Sequence, residues 1–238
     1  MINFPIEKIA DICAEFGAEI TPEEHEGLNL YGNLLLEWNE KINLTAITEP
    51  EEVVIKHFLD CILFLKHIHV PQNAKVIDVG TGAGFPGVVL KIMREDIDLT
   101  LLDGLNKRLI FLNEVLDKLG LTAKTVHARA EEAGKKSDFR EQYDIACARA
   151  VARLNVLSEY CVPFVKPGGE FVAMKGPASE KELHEATKAL SILGGSSGKI
   201  ICEKLPSGDE RNFILIKKIS QTPPKYPRIS AKISKQPL

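Results

Sequence analysis

Asp78, Gly80, Gly82 and Gly84 stand in the stretch VIDVGTGAGFPG, residues 76–87, where an apolar run carrying one carboxylate gives way to a turn stripped of side chains. Glycines let a backbone turn tightly and come close to a ligand with no Cβ in the way. The helix expected to follow offers unpaired N–H groups at its start. Such a turn is built for contact with a small molecule; close packing of strand on helix is the competing explanation. Residues 82–87 formally match the dinucleotide fingerprint G-x-G-x-x-G. Asp78 and Gly80, however, already hold the strand's end, where that fingerprint normally begins. A pyrophosphate would be repelled by Asp78, whereas a ligand carrying a cationic group would be balanced by it.

Numbered from Asp78, the pattern is D-x-G-x-G-x-G. It resembles the first motif of the S-adenosylmethionine-dependent methyltransferases, whose cofactor carries an ammonium group at its methionine end. Asp78 can meet that group directly or through water. The next strand-like run, LTLLD, ends in Asp103, which is placed to accept hydrogen bonds from ribose hydroxyls. Nicotinamide cofactors use a carboxylate there too, so Asp103 does not separate the classes. After the third run, Ala130 and Glu131 match the small residue and acid that contact adenine in this class of methyltransferase. The fourth run ends in Ala148-Arg149-Ala150-Val151, not in the D/N-P-P-Y/F of enzymes that methylate exocyclic amines. Cys147 and Cys161 lack the Pro-Cys or Thr-Cys setting of C5-pyrimidine enzymes. No catalytic base or nucleophile is expected, which suits an acceptor that already has a free lone pair, such as guanine N7. Holding the reactants in line would then suffice. Arg149 and Arg153 are candidates to grip a base edge, a phosphate or the cofactor carboxylate.

The elements that must position these residues change character along the 238-residue chain. Up to residue 70 the pattern is helical. Thr21, Pro22 and Glu24 form a capping-box signature for a helix running to about Trp38, another helix begins near Pro50, and Pro71 closes the region. From residue 71 to 220, short apolar runs alternate with helical segments, the signature of an α/β, doubly wound, mostly parallel sheet of the Rossmann-like methyltransferase type. IICEKLP and RNFILIKKI, separated by a short polar turn, read as an antiparallel hairpin that finishes it. Residues 221–238, rich in Pro, Lys and Ser, are expected to lack regular structure. From Lys217 onward there are five Lys, one Arg and no acid, against thirteen Asp/Glu and four Lys up to residue 70, in a chain of net charge −3. Such a tail is an electrostatic handle for a polyanion such as RNA. Five cysteines with no C-x-x-C pair indicate reduced, cytoplasmic thiols and argue against a zinc site. The longest apolar stretch, CILFLKHI, is far too short to span a bilayer, and the start lacks a signal-peptide pattern.

Across nearly its whole length the sequence resembles the bacterial small-subunit ribosomal RNA guanine-N7 methyltransferase family, RsmG, also called glucose-inhibited division protein B. The matching segments are WNEKINLTAI, HFLDC, VIDVGTGAGFPG, LLDGLNKR, RAEE, ARAVARL and MKGP. Cys61 in HFLDC stands where the family more usually has serine. The resemblance implies methyl transfer from S-adenosylmethionine to N7 of guanine 527 in 16S ribosomal RNA, or in a precursor of the small subunit, by a monomer that needs no metal. It assigns the cofactor to Gly80, Phe85, Ala130, Glu131 and Arg149. Lys175 is expected on the same rim as Arg149, and RNA contact is assigned to it and to Arg153. Trp38, Asn39 and Asn43 could reach the mouth of the site, although Trp38 reads more readily as core. His57 and Asp60, three apart on a helix, read as a hydrogen-bonded pair and not as metal ligands. The rival readings are a same-fold methyltransferase acting on a protein or small molecule, an RNA-binding module without activity, and a nicotinamide-dependent dehydrogenase.

Overall fold

A computed structural model describes residues 1–238. Helices α1 (Glu7–Ala14) and α2 (Pro22–Asn39) lead in. The capping box at α2 forms as expected: Thr21 Oγ1 accepts from the Glu24 N–H at 3.2 Å, and Glu24 Oε2 accepts from the Thr21 N–H at 2.7 Å. The helix beginning at Pro50 is not regular. One α turn, α3 (Pro50–Val53), passes into a π turn at Val54–Leu59 before the α geometry resumes as α4 (Asp60–His67). Widened turns of this kind are rare and are frequent at functional sites.

Seven strands follow: β1 (Lys75–Val79), β2 (Asp98–Asp103), β3 (Lys124–His127), β4 (Tyr143–Arg149), β5 (Val165–Lys175), β6 (Lys199–Lys204) and β7 (Glu210–Lys217). They form one sheet in the order β3-β2-β1-β4-β5-β7-β6. β7 alone runs against its neighbours, pairing antiparallel with β5 and β6. α5 (Gly87–Met93), α6 (Asn106–Leu119), the single turn α7 (Ala130–Ala133), α8 (Leu154–Cys161) and α9 (Ser179–Leu193) make the crossovers. Both faces are covered, which is why the parallel strands read as continuous apolar runs. Val76, Leu101, Ile145 and Cys147 face a core shared with α1, α2, α4, α5 and α6, while Ile77, Leu102, Ala146 and Ala148 face a second core under α8 and α9. The helices of the first seventy residues therefore lie directly on the sheet.

The C-terminal segment differs from expectation. It carries a short helix, α10 (Ser230–Lys235), and Thr222, Tyr226 and Ile233 are buried. Arg140 donates to the carbonyls of Thr222, Pro223 and Tyr226. Arg228 donates to both oxygens of the buried Glu159. Lys218, counted as a free tail charge in the sequence, is buried against the Val162 carbonyl and Thr222. Partners such as Glu159 lie some seventy residues upstream, so nothing local in the tail sequence announces them.

Candidate active site

Strand order reverses between β1 and β4, and in open α/β sheets ligands bind beyond the strand ends at that point. A cavity of about 500 Å³ lies there. Gly80, Asp103, Ala130 and Glu131 all line it, brought together from the ends of β1, β2 and β3. The turn after β1 is pinned from below: the N–H groups of Gly80 and Thr81 both donate to the Leu102 carbonyl. Gly80 has φ +71°, and a Cβ on it would stand 2.8 Å from the Val151 side chain. Glycine is thus required both by backbone conformation and by the loop after β4 that closes over the turn. Asp103, 4 % exposed, accepts from the Gly82 N–H at 2.9 Å, the Leu105 N–H at 2.8 Å and Arg108 at 3.3 Å. Its Oδ1 takes only the Leu105 N–H, which leaves it free to accept once more.

Asp78 does not line the cavity. Its Oδ2 accepts from Thr81 Oγ1 at 2.7 Å and from the Gly87 N–H at 2.9 Å, so the carboxylate ties the glycine turn to the start of α5. Oδ1 is buried with no partner. Burial pushes this carboxyl from its usual 3.8 up to about 6, against the pull of the two hydrogen bonds. Gly84 is a packing residue: its absent Cβ would lie 2.7–2.8 Å from Val88, Leu112 and the Tyr31 hydroxyl. The same hydroxyl donates to the Ala83 carbonyl, so α2 clamps the turn.

A second cavity of about 330 Å³ adjoins the first, Ala150 lining both. Ala150 has φ +56°, a strained conformation for a residue with a Cβ, and such strain clusters at working sites. The π turn supplies Lys56 and His57, α4 supplies Asp60, and Arg149, Lys175 and Arg211 complete the polar lining. Arg149, its side chain 16 % exposed, donates to Asp60 Oδ2 at 2.9 Å and to the Lys56 carbonyl at 3.3 Å. Arg211 approaches the other Asp60 oxygen at 3.3 Å. Burial pushes the Asp60 carboxyl up and the two guanidinium groups pull it back. His57 meets Thr45 Oγ1 through Nε2 at 2.8 Å and faces Arg149 through Nδ1 at 3.3 Å. Burial, aided by Arg149, lowers it to about 3, so the ring is neutral at physiological pH. His57 and Asp60 are therefore linked through Arg149 and not to each other, because the widened turn separates them.

The remaining expected residues fall in different places. Phe85 is buried beneath this group, 4.5 Å from the His57 ring and 4.7 Å from the Arg149 guanidinium, and does not line the first cavity. Arg149 likewise lines the second cavity and not the first. Gly82 lines neither; its N–H is given to Asp103. Lys175 is at the expected rim, but its ammonium turns back to Glu182 at 2.9 Å and to the Ala152 carbonyl, leaving the side chain 10 % exposed. Arg153 is 62 % exposed and pairs with Glu185. Trp38 packs on Phe111 and donates to Glu114. Asn39 caps the N–H groups of Leu44 and Thr45, which sets Thr45 against His57; Asn43 is exposed and lines neither cavity. Sequence reasoning missed Lys56, Arg211, Val151 and Tyr160, none of which stands in a spacing that marks it.

Known proteins with this architecture include the precorrin-6y C5,15-methyltransferase of Geobacter metallireducens (TM-score 0.53, 17 % identity, 74 % of this chain and 92 % of that one). The fibrillarin/Nop5p complex gives TM-score 0.52 at 17 % identity, over 74 % of this chain and 88 % of that one. At such identities the likeness is one of fold. Sequence relatives lie much nearer. The ribosomal RNA small subunit methyltransferase G of Clostridium perfringens (strain 13 / Type A) is 49 % identical over 95 % of both chains. The protein of that name from Desulforamulus reducens is 50 % identical over 94 % of both, and that from Alkaliphilus metalliredigens 49 % over 97 %. Residues 24–213 match the sequence profile described as rRNA small subunit methyltransferase G. The chain belongs to the rRNA small subunit methyltransferase G family, GidB.

Proposed function

We propose that the chain transfers a methyl group from S-adenosylmethionine to N7 of guanine 527 in 16S ribosomal RNA. The observation that carries this reading is the pair of adjoining cavities, one at the glycine turn and one ringed by basic side chains, which meet at the strained Ala150. The first cavity suits the cofactor. Gly80 lines it with bare backbone, Asp103 Oδ1 can accept from a ribose hydroxyl, and Ala130 and Glu131 stand at the adenine end by the family resemblance. Asp78 Oδ1 is buried, unpartnered and outside the cavity lining, so the ammonium group would satisfy it through a water. The second cavity suits the acceptor base, with Lys56, Arg149 and Arg211 around it to meet guanine O6 or a phosphate, while Lys175 is held by Glu182.

S-adenosylmethionine, when bound, supplies a methyl group already activated by its sulfonium. Guanine N7 carries no proton, so the protein has none to remove. Its side chains agree with that. His57 is held neutral, Asp60 is engaged by two guanidinium groups, and burial pushes the Cys61 and Cys147 thiols far above the usual range, so neither offers a thiolate. What the chain contributes is position: the Tyr31 clamp fixes the glycine turn, and the bond from Arg149 to the π-turn carbonyl fixes the acceptor cavity relative to it. No helix is long and apolar enough to cross a membrane. The test is to map N7-methylguanine in 16S RNA from cells with and without this gene. Loss of the modification at position 527 alone supports the proposal, and an unchanged map overturns it.

A further inference from the structure

The cavity at the glycine turn has one wall that the strand ends do not supply. Ser230 and Ser234, four residues and so one turn apart on α10, line it together with Asp103, Ala130 and Glu131, and the Tyr160 hydroxyl, also in the lining, lies 3.2 Å from Ser230 Oγ. A terminal helix of six residues has little stability of its own. It is placed by its own buried Ile233 and by the anchors immediately before it. Thr222 and Tyr226 are buried, Arg140 binds three backbone carbonyls between residues 222 and 226, and Arg228 neutralises Glu159, which has no exposed surface. A tail that only kept the protein in solution would need none of these. Ser230, Lys232, Ser234 and Lys235 are all exposed, and of these the two serines line the cavity while the two lysines do not.

We infer that the C-terminal segment is part of the cofactor site: α10 walls the adenosine end of the cavity, and Ser230 and Ser234 contact the bound cofactor there. The inference rests on the cofactor reading above. The hydroxyls suit the polar edge of an adenine or a ribose, and Tyr160 steadies Ser230 for that contact.

Calorimetric titration with S-adenosylmethionine and S-adenosylhomocysteine tests it on three proteins: the full chain, a chain ending after Arg228, which keeps the anchors before α10 and loses α10 with its buried Ile233, and full-length Ser234→Trp, which plugs the cavity from an exposed position. Thermal melting serves as the folding control. Both variants are expected to weaken binding about tenfold or more. Bound S-adenosylhomocysteine should also slow tryptic cleavage of the full chain at Lys232 and Lys235, because a ligand that α10 touches stabilises its docked form. Binding within twofold of the full chain in either folded variant would overturn the inference. If the shortened chain fails to fold, Ser234→Trp and the protection assay decide, and unprotected cleavage at saturating ligand counts against it. A full chain that binds neither ligand would overturn the cofactor reading itself.

Discussion

Burial raises the Asp78 carboxyl from 3.8 to about 6, and that shift has a sign. Between about pH 4 and 6 the folded chain keeps a proton that the unfolded chain has released, so this residue favours folding most at low pH and opposes it above 6. Asp78→Asn removes the titration. Relative to the native protein, the variant should gain about 2 kcal/mol in unfolding free energy as pH rises from 4.5 to 7. Urea denaturation of both proteins across that range measures it, and parallel curves would refute the assignment. The glycines of the same turn separate in an equally direct way. A methyl at Gly84 would meet Val88, Leu112 and Tyr31 at under 3 Å with φ at +100°, so Gly84→Ala should destabilise the fold by roughly 3 kcal/mol. At Gly82 the nearest atom to a Cβ is 3.9 Å away. Its φ is +59°, so Gly82→Val costs ~1–3 kcal/mol in backbone strain but meets no clash at Cβ, and a protein that thermal melting shows to be folded should bind S-adenosylmethionine more weakly; unchanged affinity in calorimetry would remove Gly82 from the cofactor's surroundings. The D-x-G-x-G-x-G spacing revealed the turn but could not assign its glycines, because the Val88 and Leu112 packing that claims Gly84 is tertiary.

The element that most determines the acceptor cavity is the π turn at Val54–Leu59. Widening the helix there leaves the Lys56 carbonyl to accept from Arg149, and it carries Lys56 and His57 to the cavity that Asp60 joins from the next turn. Asp60 bridges Arg149 of β4 and Arg211 of β7, so helix and sheet are joined by one buried carboxylate. Asp60→Asn leaves two guanidinium groups without their counter-charge. The expected loss is about 3 kcal/mol of stability, read from the urea midpoint, together with a lower rate of methyl transfer; a variant as stable as the native protein would contradict the bridge. Helix and strand placement were largely legible beforehand, since the capping box at Thr21 and the apolar runs are local signals. The π turn was not, because nothing in VIKHFL departs from an ordinary helical pattern. α9 also went unanticipated, its polar face masking the buried Ala186, Ala189, Leu190 and Leu193.

At the scale of the whole molecule, the helices before residue 71 and the segment after residue 220 are the parts that complete the site around a common methyltransferase sheet. The first supplies Tyr31 to one cavity's turn and His57 and Asp60 to the other cavity, and the last supplies Ser230 and Ser234. Charge counting alone misjudged the tail: of its six cations, Lys218 is buried and Arg228 is spent on Glu159. Composition records the number of charges but not their partners, which only the fold brings within reach. Cys147 and Cys161 are buried beneath the site, so Cys147→Ala should keep methyl transfer within a few-fold of native; a loss of several orders of magnitude with binding intact would show covalent catalysis. The direct measurement of N7 as the acceptor uses the purified protein, S-adenosylmethionine labelled in its methyl group, and two 16S RNA substrates, one with guanine and one with 7-deazaguanine at position 527. The substitution replaces N7 by a C–H group and leaves the rest of the base unchanged. Label should enter the first RNA at that position and be absent from the second. Equal labelling of both would place the methyl on another atom and contradict transfer to N7.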